Sequence, residues 1–202
     1  MLKKSFPDIS AAILAGGKAS RFGGINKALI EIEGVPIVSR TIAILEPLFS
    51  EIILAGWKGN SPLPDGVIPV DDNFPGLGPL GGIEAALKIS SSPLLFVFGS
   101  DMPWLSEKMI KEQANEILRD PADILVARIG VMAEPLHSVY SCSLHGVLES
   151  YLASGGSPAV IDFYKLVNTR YFDLPRSAAT LRAFKNINYP EDIPSEESND
   201  MK

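Results

Sequence analysis

Apolar positions along the chain fall into two rhythms. Short runs of Ile, Val, Leu and Phe have the length of strands buried in a sheet, and the stretches between them carry apolar residues three and four apart, as helices packed on a sheet do. Ile9 to Ala15 is the first β-prone run and stops at Gly16-Gly17. Leu29 to Glu33 reads as a brief alternating strand ending at Gly34, and Val38, Ile42, Leu45 and Leu48 then recur at helical spacing behind Pro36, a residue suited to a first helical turn. Strands are predicted at Glu51 to Ala55, at Val67 to Val70 as a short buried run, and at Leu94 to Phe98. The last is the most hydrophobic run in the chain and has the pattern of a central strand in a parallel sheet. Leu80 to Ile89 is helical behind Pro79, Ser106 caps a helix, and helices cover Leu144 to Ala153, Pro158 to Leu166 and Ala178 to Phe184. Ile124 to Ala127, Leu136 to Tyr140 and Thr169 to Leu174 complete the strands.

Strands alternating with helices through short loops predict an α/β fold, a single doubly wound and mostly parallel sheet flanked by helices. In such sheets a ligand sits beyond the C-terminal ends of the strands, where the strand order reverses. One domain is expected over residues 1–193, and the polar, aperiodic stretch 194–202 is expected to be a disordered tail.

Composition narrows the function classes. The 202 residues carry 18 Lys+Arg against 24 Asp+Glu, so the net charge is 18 − 24 = −6, and broad electrostatic attraction to nucleic acid is not expected. An anionic ligand must be met by a few local cations. The single cysteine, Cys142, excludes an intramolecular disulfide, fits a cytoplasmic location, and is expected to be a small buried apolar residue. With His145 and Met132 it makes no zinc set. No apolar stretch approaches the ~18 residues of a membrane span, and Pro7 and Asp8 break the N-terminal segment, so no membrane partner is expected.

Five segments carry candidate chemistry. From Leu14 to Lys27 the chain reads Leu14-Ala15-Gly16-Gly17-Lys18-Ala19-Ser20-Arg21-Phe22-Gly23-Gly24-Ile25-Asn26-Lys27. This is neither a P-loop nor a G-x-G-x-x-G fingerprint, but glycines after a first strand can align N–H groups around an anion while Arg21 and Lys27 supply charge. A surface loop with solvated cations is the plain alternative. Phe74 to Gly82 is a glycine-rich turn entering a helix at Pro79; it either lets a base or ribose approach the backbone or simply starts a helix. Asp101, after the most hydrophobic strand, either holds Mg²⁺ through hard oxygen ligands or stabilises a turn. His137, in Glu134-Pro135-Leu136-His137-Ser138-Val139-Tyr140, is by itself more often structural than catalytic. Asn186 and Asn188 precede Pro190 and could cap a turn.

Taken together, these segments resemble one family. The pattern L-A-G-G-x-x-x-R-x-G-G-x-x-K is similar to the N-terminal signature of nucleotidyltransferases built on a Rossmann-like sheet, and in detail to the molybdenum cofactor guanylyltransferase (MobA) family. Gly78-Pro79-Leu80-Gly81-Gly82, the aspartate after Leu94 to Phe98, Glu134 to Tyr140 and Phe184 to Asp192 are similar to further stretches of that family, so the resemblance spans residues 11–193. It implies a transfer of GMP from GTP to the phosphate of molybdopterin or molybdenum-molybdopterin, with pyrophosphate released and Mg²⁺ as cofactor. The alternatives are a CTP-dependent or sugar-phosphate nucleotidyltransferase, or a non-catalytic nucleotide-binding domain.

The resemblance also implies site roles. Leu14, Ala15, Gly16, Gly17, Lys27, Asp71, Gly78, Pro79, Leu80 and Asp101 would bind nucleotide, with Asp72 the rival to Asp71. Arg21, Lys27 and Asp101 would be catalytic, Asp101 the metal ligand, and Glu134, His137, Asn186 and Asn188 the acceptor side. Transient contact with molybdoenzymes that receive the cofactor is implied as well. One departure stands out: Ala55 occupies the place where members of the family often carry an asparagine.

Overall fold

The structure is a computed structural model that describes residues 4–16, 27–58 and 63–193. Gly17, Lys18, Arg21 and the expected tail at 194–202 therefore lie outside the described residues. In chain order the elements are β1 (Ile9–Leu14), β2 (Glu31–Ile32), β3 (Val35–Pro36), α1 (Ile37–Leu45), β4 (Ile52–Ala55), β5 (Val67–Val70), α2 (Pro79–Ile89), β6 (Leu94–Gly99), α3 (Glu107–Arg119), β7 (Ile124–Ile129), β8 (Met132–Ser141), α4 (His145–Ala153), α5 (Val160–Tyr164), β9 (Thr169–Leu174) and α6 (Ala178–Ala183).

Seven strands form one sheet in the order β5-β4-β1-β6-β8-β7-β9. Every neighbouring pair is parallel except those involving β8, which runs antiparallel to both β6 and β7. The chain leaves β1 toward β4 on one side and returns through α2 to β6 on the other, so the strand order reverses between β1 and β6. Side chains alternate across the sheet. Ala11 and Ile13 of β1 join Phe96 and Phe98 of β6 under α1, α3 and α6, while Ala12 and Leu14 join Leu95 and Val97 under α2, α4 and α5. Both faces are thus covered, which is why β1, β4 and β6 are apolar at nearly every position.

Local signals explain the element ends. Ser106 caps α3 by accepting from Met109 N, and Gly155, at φ +81°, closes α4 as the glycine pair there predicts. Pro36 ends β3 and stands at the N-cap of α1, one position earlier than a first-turn proline. Three expectations need correction. β5 is a half-exposed edge strand, with Ile68 40% exposed and Pro69 tolerated because an edge leaves one row of N–H groups unpaired. α5 covers only Val160–Tyr164, because Ala159 is extended and Ser157 Oγ donates to Asp162 Oδ2 at 2.7 Å, placing Pro158 outside the helix. β8 is ten residues long and forms a hairpin with β7 through Gly130 and Val131, where Gly130 has φ +62°.

Candidate active site

The site forms where β1 and β6 end side by side, with Leu14 paired to Gly99. Lys27 opens a turn of 3-10 helix, Lys27–Leu29, and reaches back over the strand ends. Its Nζ lies 3.3 Å from Asp101 Oδ2 and donates to Asn188 Oδ1 at 3.0 Å. The two charged side chains are 24% and 20% exposed, so their attraction is only partly screened by water. Three distant segments therefore meet at one ammonium group.

The C-terminal segment is held in place from both sides. Ile187 N donates to the Asp101 carbonyl at 2.8 Å, and the Asp192 carboxylate accepts from Asn188 N and Tyr189 N, each at 2.8 Å. Those two N–H donors hold the Asp192 carboxyl below its ordinary range. Asn186 lines a cleft of about 370 Å³ together with Pro79, Asp101, Glu134, Leu136 and Val160, and its buried Oδ1 has no hydrogen-bond partner among the described residues. A buried amide oxygen left unpaired is costly, and a ligand that donates to it would recover that cost.

Glu134 faces Asp101 by register. The antiparallel β6–β8 pairing sets Phe98 opposite His137, and carried three residues further along each chain it brings position 101 toward Glu134. Burial first and the Asp101 charge second push the Glu134 carboxyl above its ordinary range. Gly99 makes room for the arrangement: a Cβ there would lie 2.8 Å from Asp101 Oδ1 and 3.3 Å from Leu136 Cβ. Asp101, with Glu134 beside it in a cleft open to solvent, offers hard oxygen donors and leaves coordination positions for water and phosphate, so these residues fit Mg²⁺.

The glycine-rich turn after β5 is distinct from the Asp101 side of the cleft. Asp71 is exposed at the end of β5. Asp72 is engaged internally: its Oδ1 accepts from Phe74 N at 2.8 Å, and its carboxylate fills the space that a side chain at Gly81 would need. Asp71, not Asp72, is the aspartate left open to a ligand. Gly78, at φ +66°, reverses the chain into α2 at Pro79, which lines the cleft.

Several of the expected site residues have buried side chains. His137 is 1% exposed and cannot touch an acceptor; its imidazole lies among Phe96, Phe98 and Phe184, with Nδ1 2.8 Å from Gln113 Oε1. Because Gln113 Nε2 donates to Leu125 O at 2.9 Å, its Oε1 is the acceptor and His137 carries its proton on Nδ1. Burial pushes the His137 pKa down to about 3. Leu80 is fully buried and Leu14 and Ala15 nearly so, while Ala15 N donates to Ala55 O. Their side chains build the floor, and among the first four expected nucleotide contacts only Gly16 is exposed within the described residues. Ala55, 1% exposed, packs beneath Gly82 of α2.

One further polar group is invisible in the motifs. Glu84, His145 and Glu149 present ligand atoms within 4.8 Å of one another, a set that could hold a divalent ion. Lys88 already stands 3.8 Å from Glu149, and Glu84 is bonded to Asn73 and His145. The sequence signal for Glu84 is a carboxylate inside the otherwise apolar stretch Leu80 to Leu87, which demands a buried partner.

A doubly wound α/β sheet whose strand ends join a lysine, an aspartate and a Gly-Pro helix entry defines the chain as a nucleotidyltransferase. The family model described as the MobA-like NTP transferase domain matches residues 11–169, and the chain belongs to that family. It is 31% identical over 189 residues to the probable molybdenum cofactor guanylyltransferase of Carboxydothermus hydrogenoformans, covering 92% of this chain and 93% of that protein. The protein of that name from Pelotomaculum thermopropionicum is 33% identical over 187 residues, covering 91% and 89%. The fold matches the crystal structure of molybdopterin-guanine dinucleotide biosynthesis protein A from Archaeoglobus fulgidus with a TM-score of 0.74 at 22% identity, over 91% of this chain and 94% of that one. The 2-C-methyl-D-erythritol 4-phosphate cytidylyltransferase of Thermus thermophilus shares the same fold, with a TM-score of 0.64 at 15% identity, over 90% and 94%.

Proposed function

We propose that this chain transfers GMP from GTP to the terminal phosphate of molybdopterin or molybdenum-molybdopterin and releases pyrophosphate. The observation that carries the reading is the convergence of Lys27, Asp101 and Asn188, three residues from three distant segments, at the ends of β1 and β6. An acceptor phosphate oxygen attacks the α-phosphorus of GTP, that P–O bond forms, and the bond from the α-phosphorus to the bridging oxygen of the β-phosphate breaks. The attacking oxygen is already anionic at neutral pH, so the protein is not required to remove a proton. Catalysis then rests on in-line positioning and on neutralising charge.

Lys27 supplies a cation to the triphosphate, and Arg21 is assigned the same task from its place in the sequence. Gly16, Gly17 and the first turn of α2 offer N–H groups, and Asp71 and Gly78 line the nucleoside side. Glu134 and Asn186 line the acceptor side, where the unpaired Asn186 Oδ1 awaits a donor. Asp101 would hold Mg²⁺, which when bound supplies positive charge to phosphate oxygens. A molybdoenzyme that takes up the finished dinucleotide is the expected transient partner. No helix among the described residues is long and apolar enough to cross a membrane.

The test is pyrophosphate release with molybdopterin as acceptor and GTP or CTP as donor. GTP is expected to be strongly preferred, and a preference for CTP would overturn the assignment. Lys27→Ala and Asp101→Asn should each lower kcat/KM by on the order of 10²–10³, the scale of losing one group that stabilises developing charge. Near wild-type turnover in both variants would remove the phosphate role of Lys27 and the metal role of Asp101.

A further inference from the structure

Glu84 lies on the second turn of α2 and is fully buried. A carboxylate in that position survives only with partners, and it has two. Asn73 Nδ2 donates to Glu84 Oε2 at 3.0 Å, and His145 Nε2 of α4 stands 2.8 Å from Glu84 Oε1. Asn73 is an exposed loop residue, so its side chain reaches inward across 11 positions of sequence to the buried acid. The same loop carries Asp71, turns at Asp72 through the bond from Phe74 N, rests Phe74 and Leu77 on the apolar layer, and ends at Gly78.

From this arrangement we infer that Glu84 is a positioning residue. Backed by His145, it fixes Asn73 and thereby sets the backbone from Asp71 to Gly78 that faces the nucleoside of the donor. The inference rests on the reading of that loop as part of the nucleotide site. Such a device acts on binding: a loop already held in its bound shape gives up less conformational freedom when the ligand arrives. It does not act on the phosphate chemistry at Lys27 and Asp101, which are held by separate bonds. The expected signature is therefore a change in KM for GTP with kcat nearly unaffected.

The experiment uses the full chain and three measurements: steady-state kinetics, GTP affinity by calorimetry, and backbone hydrogen–deuterium exchange of residues 71–78. Asn73→Ala, which removes the bond to Glu84 Oε2 without replacing a buried side chain, is expected to raise KM and Kd for GTP about tenfold, the scale of one bond to a charged group, with kcat within about twofold. Exchange over 71–78 should rise in the same variant. Glu84→Gln keeps an oxygen to accept from Asn73 and is expected to retain most of the affinity. Unchanged KM and unchanged exchange in Asn73→Ala would overturn the inference, as would Glu84→Gln losing affinity while exchange stays low. Lys27→Ala and Asp71→Asn serve as controls for the underlying reading. If both leave GTP affinity unchanged, the nucleotide site itself is wrongly located; if they weaken it and Asn73→Ala does not, only the role of Glu84 falls.

Discussion

His137 shows how one residue can sit in a functional motif and serve the core. Among the described residues its imidazole packs against the rings of Phe96, Phe98 and Phe184 and lies 2.8 Å from the Gln113 amide oxygen. Desolvation pushes its pKa down to about 3, whereas an unfolded histidine titrates near 6.5. Above pH 6.5 both states are neutral and the residue adds no pH dependence. Below it the unfolded chain binds a proton that the native state refuses, so stability falls by about 1.4 kcal/mol per pH unit until the folded pKa is reached. Chemical denaturation at pH 7.5 and pH 5.0 should show a loss of roughly 2 kcal/mol from this group, and His137→Gln should remove most of that difference. An equal pH response in the variant would refute the assignment. The clue was present in the sequence: His137 and Val139 alternate onto one face of β8, and a histidine sharing a face with valine under a helix is a core residue. The Glu-Pro-Leu-His motif draws attention to its chemistry instead, while Lys27 and Asp101 stand out in polar, glycine- or proline-containing segments after apolar strands, and Asn188 was named only through the resemblance of Phe184 to Asp192 to the family.

Elements were legible in proportion to how fully they are buried. β1, β4 and β6 are apolar at nearly every position and stand where the runs of Ile, Leu, Val and Phe place them. β5 stands at the expected Val67–Val70 but as an exposed edge and not as a buried run, and the first half of β8 was not expected, because a hairpin tip exposes side chains that carry no period. The β7–β8 hairpin also contains a register shift at Val126/Ala127, near Pro135, which breaks the alternation that would have marked it. That hairpin is what turns β8 antiparallel and brings Glu134 to Asp101. Gly99, the last residue of β6, leaves room for the Asp101 carboxylate and Leu136. Gly99→Ala introduces a Cβ 2.8 Å from Asp101 Oδ1 and 3.3 Å from Leu136 Cβ, so the carboxylate must move. The expected result is a loss of turnover on the order of 10²-fold, the scale of misplacing a catalytic group by about 1 Å. Stability measured by thermal unfolding should change far less, since β6 is held by ladders on both sides. A variant with full activity would show that Asp101 has no fixed position to defend.

At the scale of the molecule, an acidic chain of net charge −6 handles substrates that are themselves strongly anionic. Lys27 alone cannot balance a triphosphate, and Asp101 and Glu134 add negative charge at the same cleft. On the proposed reading Arg21 adds to Lys27 and a divalent ion that arrives with the nucleotide supplies the rest, which separates two consequences of chelation. Fold stability rests on apolar layers covering both faces of the sheet. An ion bound weakly by Asp101 stabilises the native state only by mass action, about 0.4 kcal/mol when its concentration equals its Kd. EDTA is therefore expected to abolish pyrophosphate release while leaving the denaturation midpoint almost unmoved, and added Mg²⁺ should restore turnover in full. A large drop in stability on chelation would instead mean that the Glu84, His145 and Glu149 group holds a structural metal, which would compete with Lys88 for Glu149. Activity that persists in EDTA would leave the cleft with too little positive charge for the transfer proposed, and the roles of Lys27 and Asp101 would have to be drawn again.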